Sequence, residues 1–143
     1  LKKAGRGTYN ARTETVHEKP SFRTAWKFRN WCIIPAAAIY EPSYETGRPV
    51  PWRIARADGE PLAIAGIRWG WKHPETGEII ESYSMLTINA DDHPLMRRFH
   101  LPDDEKRMVV ILEPELFDDW LQAPATRSME FLQPFPAEGL RVG

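Results

Sequence analysis

Polar and apolar residues alternate near the start of the chain. In TYNARTETV, residues 8–16, the polar side chains Asn10, Arg12 and Glu14 fall at every second position. Alternate side chains of an extended segment share one face, so the pattern predicts a strand with three hydrogen-bonding groups on one side. Such a face belongs either to an edge strand in water or to the wall of a cleft. The next segment, SFRTAWKFRN (21–30), places Phe22, Ala25 and Trp26 at helical spacing behind Ser21, an N-cap type of residue, and predicts a short helix. WCIIP (31–35) reads as a buried strand stopped by Pro35, and AIYE (38–41) as a second strand ending before Pro42.

In the middle of the chain, PWRIARADGEPLAIAGIRWGW (51–71) carries two strand-like runs around Asp58-Gly59 and predicts a hairpin. Its second run, 62–71, is almost continuously apolar, as a strand covered on both faces would be. HPETGE (73–78) predicts a turn into the strand ESYSMLTIN (81–89). Asp91 or Asp92 can cap a helix with Pro94 in its first turn, running to about residue 99. RMVVIL (107–112) predicts a strand, and Glu113-Pro114 opens a helix through ELFDDWL (115–121). The tail, with Pro134 and Pro136, reads as irregular. About six strands and three short helices make residues 1–143 a single α+β domain with a curved, barrel-like, mainly antiparallel sheet.

Composition narrows the class. With 42% apolar and 27% charged residues this is an ordinary globular chain, and the 16 aromatics promise a sizeable core or stacking surfaces. No apolar run approaches the roughly 18 residues of a membrane helix, and no signal peptide is visible. One cysteine rules out an internal disulfide framework and a cysteine-based zinc site, which suits the cytoplasm. A net charge of −1 argues against a generally basic nucleic-acid binder. The charge is uneven, however. Eight Lys and Arg among the first 29 residues face only Glu14 and Glu18, a surplus of six. That surplus fits a solvated basic face or a phosphate groove.

Three further residues carry candidate chemistry. Glu41 follows the apolar IIPAAAIY, so its strand arrives from the interior; a partly desolvated carboxylate there has a raised pKa and suits proton transfer, while in water it is merely a strand-end acid. His100 ends the predicted helix, where its charge is favoured by position alone or where it serves as an acid or base near neutral pH. His17, His73 and His93 stand in turn or loop contexts and read as solvated. No histidine pair has metal-ligand spacing, so no metal is expected. Cys32, the lone thiol, lies in a buried strand without a cationic neighbour in sequence and reads as structural. There is no P-loop, nucleophile elbow or dinucleotide fingerprint.

The order of segments resembles the SRAP family, the SOS response-associated peptidases. The resemblance rests on NARTETV followed by KPSFRTAW, then CIIPAAAIYE, PLAIAGI, SMLTINAD with HPLMRRFH, and KRMVVIL with DDWL, spanning roughly residues 9–121. Each motif is weak alone, and their order and spacing make the match specific. It implies an abasic-site sensor that cross-links covalently to single-stranded DNA, without a cofactor. The nucleophile of such proteins is an N-terminal cysteine, exposed by self-cleavage, whose amine forms a Schiff base with the ring-opened sugar and whose thiol closes a thiazolidine. By the resemblance Asn10 orients that cysteine, Arg12 grips the DNA backbone, and Glu41 and His100 move protons around the aldehyde carbon. Arg107 is a second phosphate contact, and Glu14 is structural, paired with a neighbouring arginine. The expected partner is single-stranded DNA with abasic sites; no membrane or metal is implied, and the protein is expected to be a monomer.

The chain departs from the family pattern in three places. It opens at Leu1, so about the first third of a typical member, including the cysteine, is expected to be missing from these residues. Cys32 matches the buried strand cysteine of the family and not the nucleophile. Pro42 stands where most relatives have Trp, and LPDDEK (101–106) separates His100 from Arg107 where most relatives have them two positions apart. The competing readings are a non-covalent single-stranded DNA-binding module and, on the family name alone, a protease acting on other proteins.

Overall fold

The computed structural model describes residues 9–143. Two sheets form its frame. In the larger, β1 (Asn10–Arg12) runs parallel to β6 (Ile79–Asn89), β6 pairs antiparallel with β5 (Leu62–Lys72), and β5 with β2 (Trp31–Ala36). The smaller is an antiparallel set of β3 (Ile39–Ser43), β4 (Val50–Arg56) and β8 (Leu140–Val142). The α+β class and the mainly antiparallel pairing agree with the sequence reading, but the two sheets do not close into a barrel among the described residues.

One feature of the larger sheet matters for the site. β5 and β6 pair only as far as Gly66 and Met85. Beyond that they part, and residues 107–112 enter the gap between them. There β7 (Arg107–Val109) pairs with β6, Val110 donates its amide to Leu86, and Ala65 and Leu112 donate to Val110 and Ala63. The apolar sequence VVIL fits this slot, because Val110, Ile111 and Leu112 are all buried between neighbours.

The core lies under these strands. Ile54, Leu62, Ile64, Ile67, Leu86, Met96, Phe99, Met108 and Leu112 are fully buried. A row of aromatic rings, Trp26, Trp31, Trp120 and Phe131, packs with centroid separations of 4.7, 5.0 and 5.9 Å and joins α1 (Arg23–Lys27) and α2 (Phe117–Gln122) to β2. Both central indoles have partners, Trp31 donating to the Ala123 carbonyl and Trp120 to that of Cys32, as buried tryptophans need. Most of the tryptophans are thus structural. Trp52 and Trp69 also pack edge-on against Phe99 and Phe22.

Several local expectations change. The turn at Asp58-Gly59 forms, with Gly59 at φ +81°, but it turns a corner between sheets: β4 pairs with β3 and β8, β5 with β2 and β6. The hairpin pattern specifies a reversal without specifying who pairs across it. β5 is buried on both faces only through Ile67, and from Arg68 on it is a more exposed ribbon. β2 runs on through Pro35, which an edge strand tolerates because no neighbour needs its missing N–H. The helix expected over 91–99 is only a 3₁₀ turn at Met96–Arg98. Asp91 is diverted to the Lys106 amide and the Asn89 side chain, so it cannot cap. Ser21 makes no cap either; Phe22 holds that position. The tail contributes β8 instead of remaining irregular.

Candidate functional site

β1 presents Asn10 and Arg12 on its exposed face and buries Ala11 beneath, as strand alternation requires. The alternation stops there. The chain turns after Arg12, the Val16 amide bonds back to the Arg12 carbonyl, and Glu14 leaves the strand face. It reaches Arg107 instead, the two forming a bidentate pair with Nη1–Oε1 and Nη2–Oε2 distances of 3.2 and 2.9 Å. Arg107 Nη2 also donates to the Thr87 carbonyl at 2.8 Å, while its buried Nε has no acceptor among the described residues. Partial burial works to raise the Glu14 carboxyl, but the Arg107 hydrogen bonds and charge outweigh it and hold Glu14 below the ordinary carboxylate value. The structural, arginine-paired reading of Glu14 is what the geometry has.

Glu41 lies in β3 with its side chain 18% exposed. Its Oε2 accepts from Nε2 of His100 at 2.7 Å when the carboxylate is ionised. Burial pushes the Glu41 carboxyl above its ordinary value, and the charge and hydrogen bond of His100 oppose part of that rise. His100 reaches this position through an unusual backbone. It sits at φ +65°, a left-handed conformation that non-glycine residues seldom adopt, and its amide donates to the Pro42 carbonyl at 2.7 Å. Phe99 just before it bridges to Ser43. The segment therefore docks along β3, and the imidazole meets the carboxylate on the same strand. Pro42 supplies that carbonyl through its backbone.

Asn10, Arg12, Glu41, His100 and Arg107 all line one cleft of about 780 Å³ between the larger sheet and β3. Its floor is apolar, built from Ile34, Ile64, Met85 and Val109. Arg12 stands at the rim, with its side chain 57% exposed and Nη1 3.0 Å from Glu105. The six-residue insertion thus loops out and returns both His100 and Arg107 to the cleft. Of the basic residues near the start of the chain, Lys19, Arg23, Lys27 and Arg29 do not line it; Lys2, Lys3 and Arg6 fall outside the described residues.

The remaining candidates are placed elsewhere. Cys32 is half-buried in β2 away from the cleft lining, and burial pushes its thiol up despite the opposing charge of Arg68. His17 lies on the surface against Glu18 and His73 in the turn after β5. His93 departs from the sequence reading. It is buried, accepts the amides of Leu95 and Met96 through Nδ1, and meets the Phe135 carbonyl through Nε2 at 2.7 Å. With Nδ1 accepting, Nε2 carries the proton. Loop sequence alone gave no sign of this. Among the described residues no cluster of three His, Cys, Asp or Glu is suited to a metal, and no helix is long and apolar enough to cross a membrane.

Known proteins share this arrangement of segments. The chain is 33% identical over 144 residues to abasic site processing protein YoqW of Bacillus subtilis, covering 98% of this chain and 60% of that protein. The crystal structure of a Bordetella bronchiseptica protein superposes with a TM-score of 0.90 at 53% identity, covering 93% of this chain and 63% of that one. A Bacteroides thetaiotaomicron structure gives 0.81 at 30% identity, covering 93% and 56%. The chain thus spans about 60% of the length of the curated relative it matches. The family model of the SOS response associated peptidases matches residues 1–143 throughout. With that match, these structural likenesses and the motif order all in agreement, the chain belongs to the SOS response associated peptidase (SRAP) family.

Proposed function

We propose that the protein processes abasic sites, capturing the ring-opened deoxyribose of single-stranded DNA in the cleft between β1, β3 and β7. The observation that carries the reading is the meeting of Glu41 and His100 at 2.7 Å in a cleft that also holds Asn10, Arg12 and Arg107. The attacking groups in this reading are the α-amine and thiol of an N-terminal cysteine, which is not one of these 143 residues. Self-cleavage of the segment before that cysteine exposes its amine.

The chemistry then divides among named residues. Asn10 orients the amine, and the amine attacks the aldehyde carbon to give a carbinolamine. Glu41, its carboxyl pushed above the ordinary value by burial, donates a proton to the hydroxyl that leaves as water and takes back the nitrogen's proton, so that an imine forms. The thiolate adds to the imine carbon, and the nitrogen takes up a proton as the thiazolidine closes. His100 assists sugar ring opening and the reverse reaction. Arg12 exchanges its rim contact with Glu105 for a DNA phosphate, an exchange favoured by the weakness of exposed ion pairs. Arg107, fixed by Glu14 and Thr87, sets a cation in the cleft wall beside that phosphate.

The test is a denaturing gel of the full-length protein with single-stranded DNA carrying one abasic site. A shifted band that survives denaturant and is absent with intact DNA is expected. Glu41→Gln should slow its formation by about 10²-fold or more, as loss of a general acid does, while Cys32→Ser should leave it unchanged. No band from a folded, full-length protein would sink the covalent reading. A second reading, a non-covalent single-stranded DNA-binding module, draws on one observation: Cys32, the only cysteine in these residues, is held away from the cleft lining with its thiol pushed up. Binding without cross-linking would favour it.

A further inference from the structure

Lys106 is the last residue of the insertion that separates His100 from Arg107, and it is 9% exposed. Its backbone is fixed on both sides: its amide donates to Asp91 Oδ1 at 2.8 Å and its carbonyl accepts the Ala90 amide at 2.7 Å. Because strand alternation sends Arg107 toward Glu14 and the cleft, Lys106 points the other way, into the mouth of its own loop. There its Nζ donates to the carbonyls of Phe99 and Leu101, both at 2.6 Å. These are the carbonyls on either side of His100. A buried ammonium must find such partners, since leaving it unpaired is far more costly than a neutral group.

His100 needs outside support of this kind. A left-handed backbone at a non-glycine residue persists only where its surroundings over-determine it. The Pro42 carbonyl holds the His100 amide, but one bond fixes one direction. The ammonium ties the Phe99–His100 peptide, which the Pro42 bond also holds, to the Leu101–Pro102 peptide beyond the histidine, and so restricts the backbone rotations between them that set the direction of the imidazole toward Glu41. Resting on the reading of His100 as a proton-moving group, we propose that Lys106 is a positioning residue for His100: its ammonium clamps the carbonyls of the residues before and after the histidine and so aims the ring at Glu41.

A double-mutant cycle on the full-length protein tests the proposal, using Lys106→Met, His100→Gln and both together. The readout is the rate of cross-link formation and reversal on abasic single-stranded DNA, with affinity for intact single-stranded DNA as the control. Lys106→Met should slow whichever step His100→Gln slows, leave the affinity within about twofold, and add less than about twofold in the His100→Gln background. Lys106→Arg, which can span both carbonyls, should restore most of the rate. Multiplicative losses, or a Lys106→Met variant as fast as the parent while His100→Gln is slow, would overturn the proposal.

If His100→Gln changes neither step, the reading of the site fails, and the clamp is then judged by amide hydrogen exchange on the full-length protein. Lys106→Met should speed exchange of the His100 amide on the order of tenfold, the effect of losing one net hydrogen bond's worth of local stability. The Leu112 amide, bonded to the Ala63 carbonyl in the core, should be unaffected. Equal acceleration of both amides, or of neither, would refute local positioning.

Discussion

Replacing Gly66 with alanine sets strand propensity against packing. Propensity alone favours the change, because glycine in a strand interior gives up about 0.5–1 kcal/mol relative to alanine. Packing opposes it. An alanine Cβ at this position would lie 2.6 Å from Ile34 Cδ1, 3.1 Å from Cys32 Sγ and 2.8 Å from the Ser84 carbonyl oxygen. Unstrained contacts between heavy atoms of this kind lie near 3.5 Å or more. Ile34 can swing its terminal methyl aside. The Ser84 carbonyl cannot retreat so cheaply, since Ser84 sits in β6 opposite Ile67 and moving it lengthens the ladder that joins β5 to β6. The methyl must therefore open the sheet at the last pair before the strands part. Overpacking of this kind costs about 1–3 kcal/mol; taking the middle of both ranges, a net loss of about 1.25 kcal/mol remains after the propensity gain. With a urea dependence near 2 kcal/mol/M, the unfolding midpoint should fall by roughly 0.5–1 M. Urea titration followed by tryptophan fluorescence measures it directly. A midpoint equal to or above the parent's would mean that β5 and β6 have slack where the structure has none.

Glu41→Gln should flatten the dependence of stability on pH just above 4.5: the folded-state pKa is raised by burial, so the native state holds the proton more tightly and loses stability as pH rises from the ordinary value through the raised one. Melting temperatures of the two proteins across that interval check this, and identical slopes would refute it. His93→Ala should cost about 2–4 kcal/mol, because it strands the Phe135 carbonyl and the Leu95 and Met96 amides together; a loss under about 1 kcal/mol in denaturant titration would show that water replaces the ring. Arg12→Gln should weaken binding to intact single-stranded DNA and lower the slope of log affinity against log salt by about 0.7, the share of one neutralised phosphate on a single strand. An unchanged slope in fluorescence anisotropy would remove Arg12 from the phosphate path.

What the sequence made legible was the content of the site more than its construction. Asn10 and Arg12 were readable because period-two alternation needs only two residues of strand, and Glu41 because an apolar run delivers it from the interior. Glu14 kept the alternation in the sequence but not in the structure, since the chain turns after Arg12 and a salt bridge to a residue 93 positions away decides where the carboxylate goes. The hairpin at Asp58-Gly59 failed for the same reason. A turn motif is local, whereas the choice of β2 and β6 as partners for β5 depends on burial across the whole sheet. His93 and Lys106 were illegible because their roles consist of bonds to backbone groups, which carry no sequence signature.

The long-range pairings also bear on how the protein is made. Asn10 pairs with Met85 and Ile54 with Val142, separations of 75 and 88 residues. Neither sheet has all its strands until the late segments exist: the slot between β5 and β6 waits for residues 107–112, and the free edge of β4 waits for residue 142. On the ribosome the nascent chain must therefore hold unpaired edges and an open apolar slot through most of synthesis, a topology that folds slowly and invites chaperone capture. Glu41 emerges well before His100 and the loop that aims it, so its carboxylate spends that interval in water. The cleft cannot be complete before residues 107–109 have emerged, the last of those that line it.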